Sequence, residues 1–219
     1  MHSTIKNLLD IKNNIKFYLE KLNINTNPEI LAVSKTFEIN KILPLIKYGH
    51  LHYGENKVQE ALEKWSDIKS TKKDLKLHLI GKLQTNKVKQ AIKIFDYIHS
   101  VDSEKLAKKI ADEEIKQGKK IKIFIQVNIG NEEQKSGVNK SSVYELYSYC
   151  KAINLNVIGL MCIPPLTKSS DIYFKEMNIL NKNLNLNELS MGMSSDYLDA
   201  IKNSATYVRI GSNIFGQRS

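Results

Sequence analysis

Three features of the sequence could do chemistry together: a lysine at a strand end, two loops rich in glycine and serine, and an arginine inside an apolar run. The lysine is Lys35, in Leu31-Ala32-Val33-Ser34-Lys35-Thr36. A lysine held at the end of a buried strand has two fates. It snorkels to water, or desolvation lowers its pKa and frees the amine to attack a carbonyl. The surrounding residues leave both open. The loops are Met191-Gly192-Met193-Ser194-Ser195-Asp196 and Gly211-Ser212-Asn213-Ile214-Phe215-Gly216. Each offers a glycine for close backbone approach, hydroxyls and an expected helix start with unpaired N–H groups, a donor set that suits phosphate. Helix capping by Ser195 or Asp196 and a plain turn at Gly211 would explain the same letters. Arg209 stands two residues before Gly211, in Tyr207-Val208-Arg209-Ile210. An arginine in an apolar strand needs a partner, either a core carboxylate or a ligand. A lysine nucleophile, a phosphate cradle and an inward arginine together describe a site for pyridoxal 5′-phosphate (PLP). The amine forms a Schiff base with the aldehyde, the loops hold the phosphate and the arginine faces the pyridine nitrogen.

These residues can meet only if the fold gathers strand ends. Short apolar runs alternate with amphipathic segments along the whole chain. The pattern predicts a leading helix over 3–22, with Ile5, Leu8, Leu9, Ile15 and Leu19 apolar. Strands are predicted at about 30–35, 51–55, 75–80, 97–101, 121–127, 157–161, 188–193 and 207–210. The helices between them are predicted at about 38–49, 56–65, 86–95, 103–118, 141–153, 170–184 and 196–203. Strands alternating with helices imply a parallel sheet. Eight such units predict a (β/α)8 TIM-type barrel with an additional N-terminal helix, its functional residues at the C-terminal ends of the strands. An open doubly wound sheet is the alternative. With no linker or low-complexity tract, one domain over 1–219 is expected.

The formal net charge of +10 over 219 residues raises the question of nucleic acid. Arginine, the better reader of phosphates and bases, occurs only at Arg209 and Arg218, and the lysines are spread along the whole chain. The charge is therefore read as solvated helix faces; no specific nucleic acid partner is expected. No apolar run approaches the length of a membrane span, and residues 1–20 lack the apolar core of a signal peptide. The two cysteines, Cys150 and Cys162, form no C-x-x-C and no disulfide framework. A cytoplasmic protein without a metal site is expected.

The motifs resemble those of the pyridoxal phosphate homeostasis (YggS/PROSC) family. The resemblance runs from Ala32-Val33-Ser34-Lys35-Thr36 to Arg209-Ile210-Gly211-Ser212-Asn213-Ile214-Phe215-Gly216. Between them lie Tyr53-Gly54-Glu55-Asn56-Lys57-Val58-Gln59-Glu60, His78-Leu79-Ile80-Gly81-Lys82-Leu83-Gln84-Thr85-Asn86-Lys87 and Leu189-Ser190-Met191-Gly192-Met193-Ser194-Ser195-Asp196. Tyr53 and Leu77 stand where the family commonly has Phe and Trp, and Ser212 where it often has Thr, keeping the hydroxyl. The resemblance implies a barrel like the N-terminal domain of alanine racemase. It implies PLP joined to Lys35 as an aldimine, with phosphate contacts from the loop of Met193, Ser194 and Ser195 and from Gly211 and Ser212. It also implies Arg209 at the pyridine nitrogen and Asn56 near the ring substituents. His78 would lie close to the ring or in neighbouring strand packing; both remain open.

The function implied is a PLP carrier supplying apoenzymes, expected to be a monomer and not an enzyme. An amino-acid racemase is the alternative. It needs a proton shuttle on each face of the substrate, and related racemases take the second base from a further domain that is not expected here. An aldolase-like barrel using Lys35 on a sugar phosphate would leave Arg209 unexplained.

Overall fold

Helical spacing of Leu8, Ile11, Ile15 and Leu19 folds the start of the chain into α1 (Ser3–Leu22), whose apolar stripe is buried. The His2 ring accepts from the Thr4 N–H at the start, and Asn23 turns left-handed at φ 53° to end it. The coordinates are a computed structural model that describes residues 1–165 and 169–217.

Eight strands follow: β1 (Glu29–Val33), β2 (His52–Glu55), β3 (Lys76–Leu79), β4 (Tyr97–Val101), β5 (Lys122–Val127), β6 (Asn156–Cys162), β7 (Glu188–Met193) and β8 (Tyr207–Ile210). The helices between them are α2 (Ile39–Tyr48), α3 (Val58–Thr71), α4 (Val88–Ile94), α5 (Glu104–Gln117), α6 (Val143–Ala152), α7 (Ser170–Asn183) and α8 (Tyr197–Lys202), and α9 (Ser212–Phe215) follows β8. All neighbouring strands are parallel, and β1 pairs with both β2 and β8, with Leu31 opposite Arg209. The sheet is therefore a closed eight-stranded barrel, and the open doubly wound alternative is excluded.

Period-two alternation divides the strand side chains between two layers. One set packs outward under the helices, where Leu79, Ile98, Ile123, Leu160 and Val208 join Trp65, Phe174 and the α1 stripe in the main core. Each fully buried side chain of this size contributes about 1.5–3 kcal/mol. The other set points into the lumen. Its apolar part is small: Leu31, Tyr97, Phe124, Met161 and Tyr207. The rest of the lumen is polar, with His78, His99, Ser190 and Arg209 all buried.

Several element ends differ from the sequence expectation. Strand β1 stops at Val33, because the chain turns at Ser34 and Thr36 takes φ 67°. Helix α3 starts at Val58 and runs to Thr71, beyond the expected end at Trp65, because Ile68 continues its packed face. The expected helix over 86–95 is a 3-10 turn, Thr85–Lys87, followed by α4.

Candidate functional site

At the C-terminal mouth of the barrel lies a cavity of about 500 Å3. It is lined by Lys35, Asn56, Met193, Ser194, Ser195, Arg209, Gly211 and Ser212, so closure of the barrel brings together eight of the residues singled out from sequence. Its apolar walls are Val33, Phe37, Ile80 and Ile163, with Phe37 packed on Phe215 at 5.1 Å between ring centroids. The volume falls in the range of small-molecule pockets. A larger cavity of about 790 Å3 lies at the other end of the barrel, between α1 and the loop to β1. It holds none of these residues.

Lys35 is half-buried and follows β1 on a turn that is clamped from behind. A β-branched residue at positive φ, as at Thr36, is a strained conformation held only by its surroundings. The Thr36 N–H donates to Glu60 Oε1 at 2.6 Å. Lys64 Nζ, 10% exposed, donates to Glu60 at 2.9 Å, to the Ser34 carbonyl at 2.9 Å and to Glu55 Oε1 at 3.1 Å. Glu55 is fully buried and also accepts from Ser34 Oγ and Trp65 Nε1. Burial raises the Glu55 pKa, and these donors only partly offset it. Burial raises Glu60 as well, but there the bonds from Lys64 and Thr36 outweigh it and hold the carboxyl below its ordinary value. The clamp fixes the path of the backbone on both sides of Lys35.

Asn56 is set by a neighbouring loop. A side chain at Gly81 would place its Cβ 2.3 Å from the Asn56 carbonyl oxygen, so only glycine allows the two loops to approach.

The loops after β7 and β8 meet at the opposite side of the cavity. Gly192 turns at φ 87° where a Cβ would lie 2.5 Å from Ala200 Cβ, and Asp196 Oδ1 accepts the Met193 N–H at 2.6 Å. Asp196 thus folds back on the loop and makes no capping bond to α8. The Asn213 amide donates to the Ser194 carbonyl at 3.0 Å, and the Gly211 N–H points at Ser194 Oγ at 3.4 Å. The N–H groups of Ser194, Ser195, Ser212 and Asn213 meet no acceptor among the described residues. Helices α8 and α9 are only six and four residues long. The loops therefore offer individual donors more than a long helix dipole.

Arg209 is 4% exposed and edges the cavity from the lumen side. Its Nη1 donates to Ser190 Oγ and its Nη2 to the Cys162 carbonyl, both at 2.8 Å. Among the described residues no carboxylate lies within ion-pair distance of it. Burial lowers its pKa from a very high ordinary value, and a guanidinium remains a donor only.

His78 does not line the cavity. It sits fully buried in the lumen, where Tyr97 stacks on its ring at 4.0 Å. Its Nδ1 meets His99 Nε2 at 2.9 Å, and His99 Nδ1 meets Ser190 Oγ at 2.8 Å, so His78 reaches Arg209 only through two further side chains. Sequence reasoning did not single out His52, His99 or Ser190. The available signal was a polar residue on an inward position of β2, β4 and β7, legible only once the strand phase is known. It also missed Glu60 and Lys64, whose helical i,i+4 spacing reads as an ordinary surface pair.

Residues 7–219 match the family described as alanine racemase, N-terminal domain. The chain is 40% identical over 200 residues to the pyridoxal phosphate homeostasis protein of Aquifex aeolicus, covering 87% of each chain. It is 36% identical over 211 residues to the human protein of that name, covering 87% of this chain and 77% of the human one. The solved structure of PipY from Synechococcus elongatus with PLP bound superposes with a TM-score of 0.79 at 32% identity, over 92% of this chain and 100% of PipY. Alanine racemase of Clostridium difficile shares the fold, with a TM-score of 0.74 at 17% identity over 98% of this chain and 56% of the racemase.

Proposed function

The chain belongs to the pyridoxal phosphate homeostasis proteins, and from that premise we propose that it holds PLP at the C-terminal mouth of its barrel and keeps it available to apoenzymes. The observation that carries the proposal is the convergence of a lysine amine, two donor loops and a buried guanidinium on one cavity of about 500 Å3. The residues fit the group. PLP needs an amine for its aldehyde, donors for its phosphate and a partner for its ring nitrogen, and it supplies an aldehyde that reacts reversibly with amines. Lys35 Nζ would provide the amine that holds the aldehyde covalently. Ser194, Ser195, Gly211 and Ser212 provide N–H and hydroxyl donors to the phosphate, beside Met193. Asn56 would lie near the ring substituents, and Arg209 would face the ring nitrogen.

The cavity supports holding over turnover. Among the described residues that line it, Lys35 is the one amine or acid; the rest are apolar, amide, hydroxyl or guanidinium groups. A racemase needs a second such group on the opposite face. Arg209 cannot give the ring nitrogen a proton, and an unprotonated ring withdraws electrons poorly. A single PLP-binding unit over 1–219, acting as a monomer in a reducing cytoplasm, completes the reading. Both cysteines are free and buried, with their thiols pushed up to about 12 by burial. No helix among the described residues is long and apolar enough to cross a membrane.

Borohydride reduction of the PLP-loaded protein, followed by peptide mapping, tests the attachment. The pyridoxyl group is expected on Lys35. An adduct on another lysine, with Lys35→Ala still fully labelled, would overturn the assignment.

A further inference from the structure

The lumen carries a continuous line of polar side chains from one mouth of the barrel to the other. At the N-terminal mouth, Glu29 Oε2 lies 3.7 Å from His52 Nε2. His52 Nδ1 then meets His78 Nε2 at 3.0 Å, His78 Nδ1 meets His99 Nε2 at 2.9 Å, and His99 Nδ1 meets Ser190 Oγ at 2.8 Å. Ser190 Oγ accepts from Arg209 Nη1 at 2.8 Å. Tyr97 stacks on His78, and Phe124 stacks on His99 at 4.2 Å, so the rings cannot turn freely. His78, His99 and Ser190 have no exposure at all.

Proton accounting fixes the direction of this line. Burial drives the pKa of His78 and His99 far down, so each ring is neutral and carries one proton. Each junction between neighbours needs one proton, and Arg209 at one end can only donate. If Ser190 donates to His99 Nδ1, then His99 donates from Nε2 to His78, His78 from Nε2 to His52, and His52 from Nε2 toward the Glu29 carboxylate. Every junction from Ser190 to His52 is then made, and the His52 Nε2–H faces Glu29 at 3.7 Å, longer than a hydrogen bond. The opposite direction aims two donors at Ser190 Oγ, leaves the buried hydroxyl proton without an acceptor among the described residues, and turns a His52 lone pair toward a carboxylate. Leaving a buried donor unmade is the heavier penalty.

We propose that Ser190, His99, His78 and His52 form a one-directional hydrogen-bonded column that positions Arg209 from the lumen side of the cofactor cavity. All the N–H dipoles point away from Arg209, so their negative ends face the guanidinium. Bonds in such a chain polarise one another. At the far mouth Glu29 shares the surroundings of His52 with Lys76 and Lys122, so it is the column's own dipoles that face the guanidinium. A carboxylic acid beside Arg209 could exchange a proton with the ring nitrogen; the column offers the guanidinium a hydrogen-bond acceptor without one. The column is not a proton path to the cofactor, because Arg209 closes it as a donor. Ser190 and His99 are thus positioning residues for Arg209, and His78 and His52 fix their tautomers. This extends the cofactor reading above, since it assigns Arg209 to the ring nitrogen.

Two measurements test it. The first is 15N NMR of histidine-labelled protein without cofactor. The three lumen imidazoles are expected as neutral Nε2–H tautomers. Nδ1–H tautomers at His78 and His99 would overturn the direction. The second compares His99→Phe, which keeps the stacking and breaks the column, with His99→Gln, whose amide carries an acceptor and a donor at about the ring's N–N spacing. PLP affinity is expected to fall about fivefold in His99→Phe, the loss of one neutral buried hydrogen bond, and to recover in His99→Gln. Equal PLP affinity for wild type and a folded His99→Phe would overturn the positioning role, as would a loss that His99→Gln shares. A wild type with the assigned tautomers that binds no PLP at all would instead sink the cofactor reading.

Discussion

Replacing Lys64 by methionine isolates the clamp behind Lys35. Methionine keeps much of the packed stem and removes the charge. It takes a donor from Glu55, which is fully buried and whose second oxygen, Oε2, has no partner among the described residues. Breaking a buried pair from one side costs about 3–5 kcal/mol. Glu55 keeps its bonds from Ser34 and Trp65, which places the loss near the lower end, about 3 kcal/mol. The sign of the pH dependence follows. Burial already holds the folded Glu55 pKa above its unfolded value, and losing Lys64 raises it further. As pH climbs above the unfolded value of 4.5, the unfolded chain releases this proton while the folded chain keeps it, so stability falls until the folded pKa is passed. The deficit of Lys64→Met against wild type is therefore larger at pH 8 than at pH 5. Glu55→Gln in the same chain removes the orphaned charge and should recover most of the loss. Urea unfolding of wild type, both single variants and the double variant at pH 5 and 8 gives the cycle. PLP affinity should weaken in parallel, because Lys64 also holds the Ser34 carbonyl and the Glu60 carboxylate that grips Thr36. A deficit independent of pH, or a double variant as unstable as the sum of the singles, would refute the reasoning.

Ser195→Ala with Ser212→Ala removes two exposed hydroxyls from the phosphate loops. PLP binding should weaken about tenfold or more with the unfolding midpoint unchanged; equal affinities in a fluorescence titration would count against the cradle. Burial lowers His50 from 6.5 to about 4 even though its Nε2 bonds the His52 carbonyl. The unfolded chain therefore takes up the proton first, and stability present above pH 6.5 is lost as pH falls toward 4. From pH 7 to 5 this group alone should remove about 2 kcal/mol, and His50→Gln should show a shallower decline in urea midpoint. Incubation of the PLP-loaded protein with L-alanine in deuterated water should give α-proton exchange within about two orders of magnitude of free PLP. Turnover on the order of 10 per second would mean that a second base reaches the cavity.

By itself the sequence determined the strand and helix order, because apolar periodicity is a local property that survives without knowledge of neighbours. It also marked the residues that line the candidate site. Lys35 and the serine loops follow strands and Arg209 lies near the end of β8, and parallel closure places all such ends at one mouth. Strand phase, register and closure were decided by tertiary structure. The pairing of Leu31 with Arg209 joins residues at opposite ends of the chain, and no local pattern encodes it. That pairing turned His78 from a candidate beside the ring into a buried link behind Arg209. A histidine on a four-residue strand has no visible inside or outside until both neighbours are in place. The clamp around Lys35 was hidden for a related reason. Glu60 and Lys64 look like a surface i,i+4 pair, and only the packing of α3 against the β1 turn buries the lysine between Ser34, Glu55 and Glu60. Identities of reactive groups are written in the chain; which of them share a dry space is set by three-dimensional burial, and burial decides their charge.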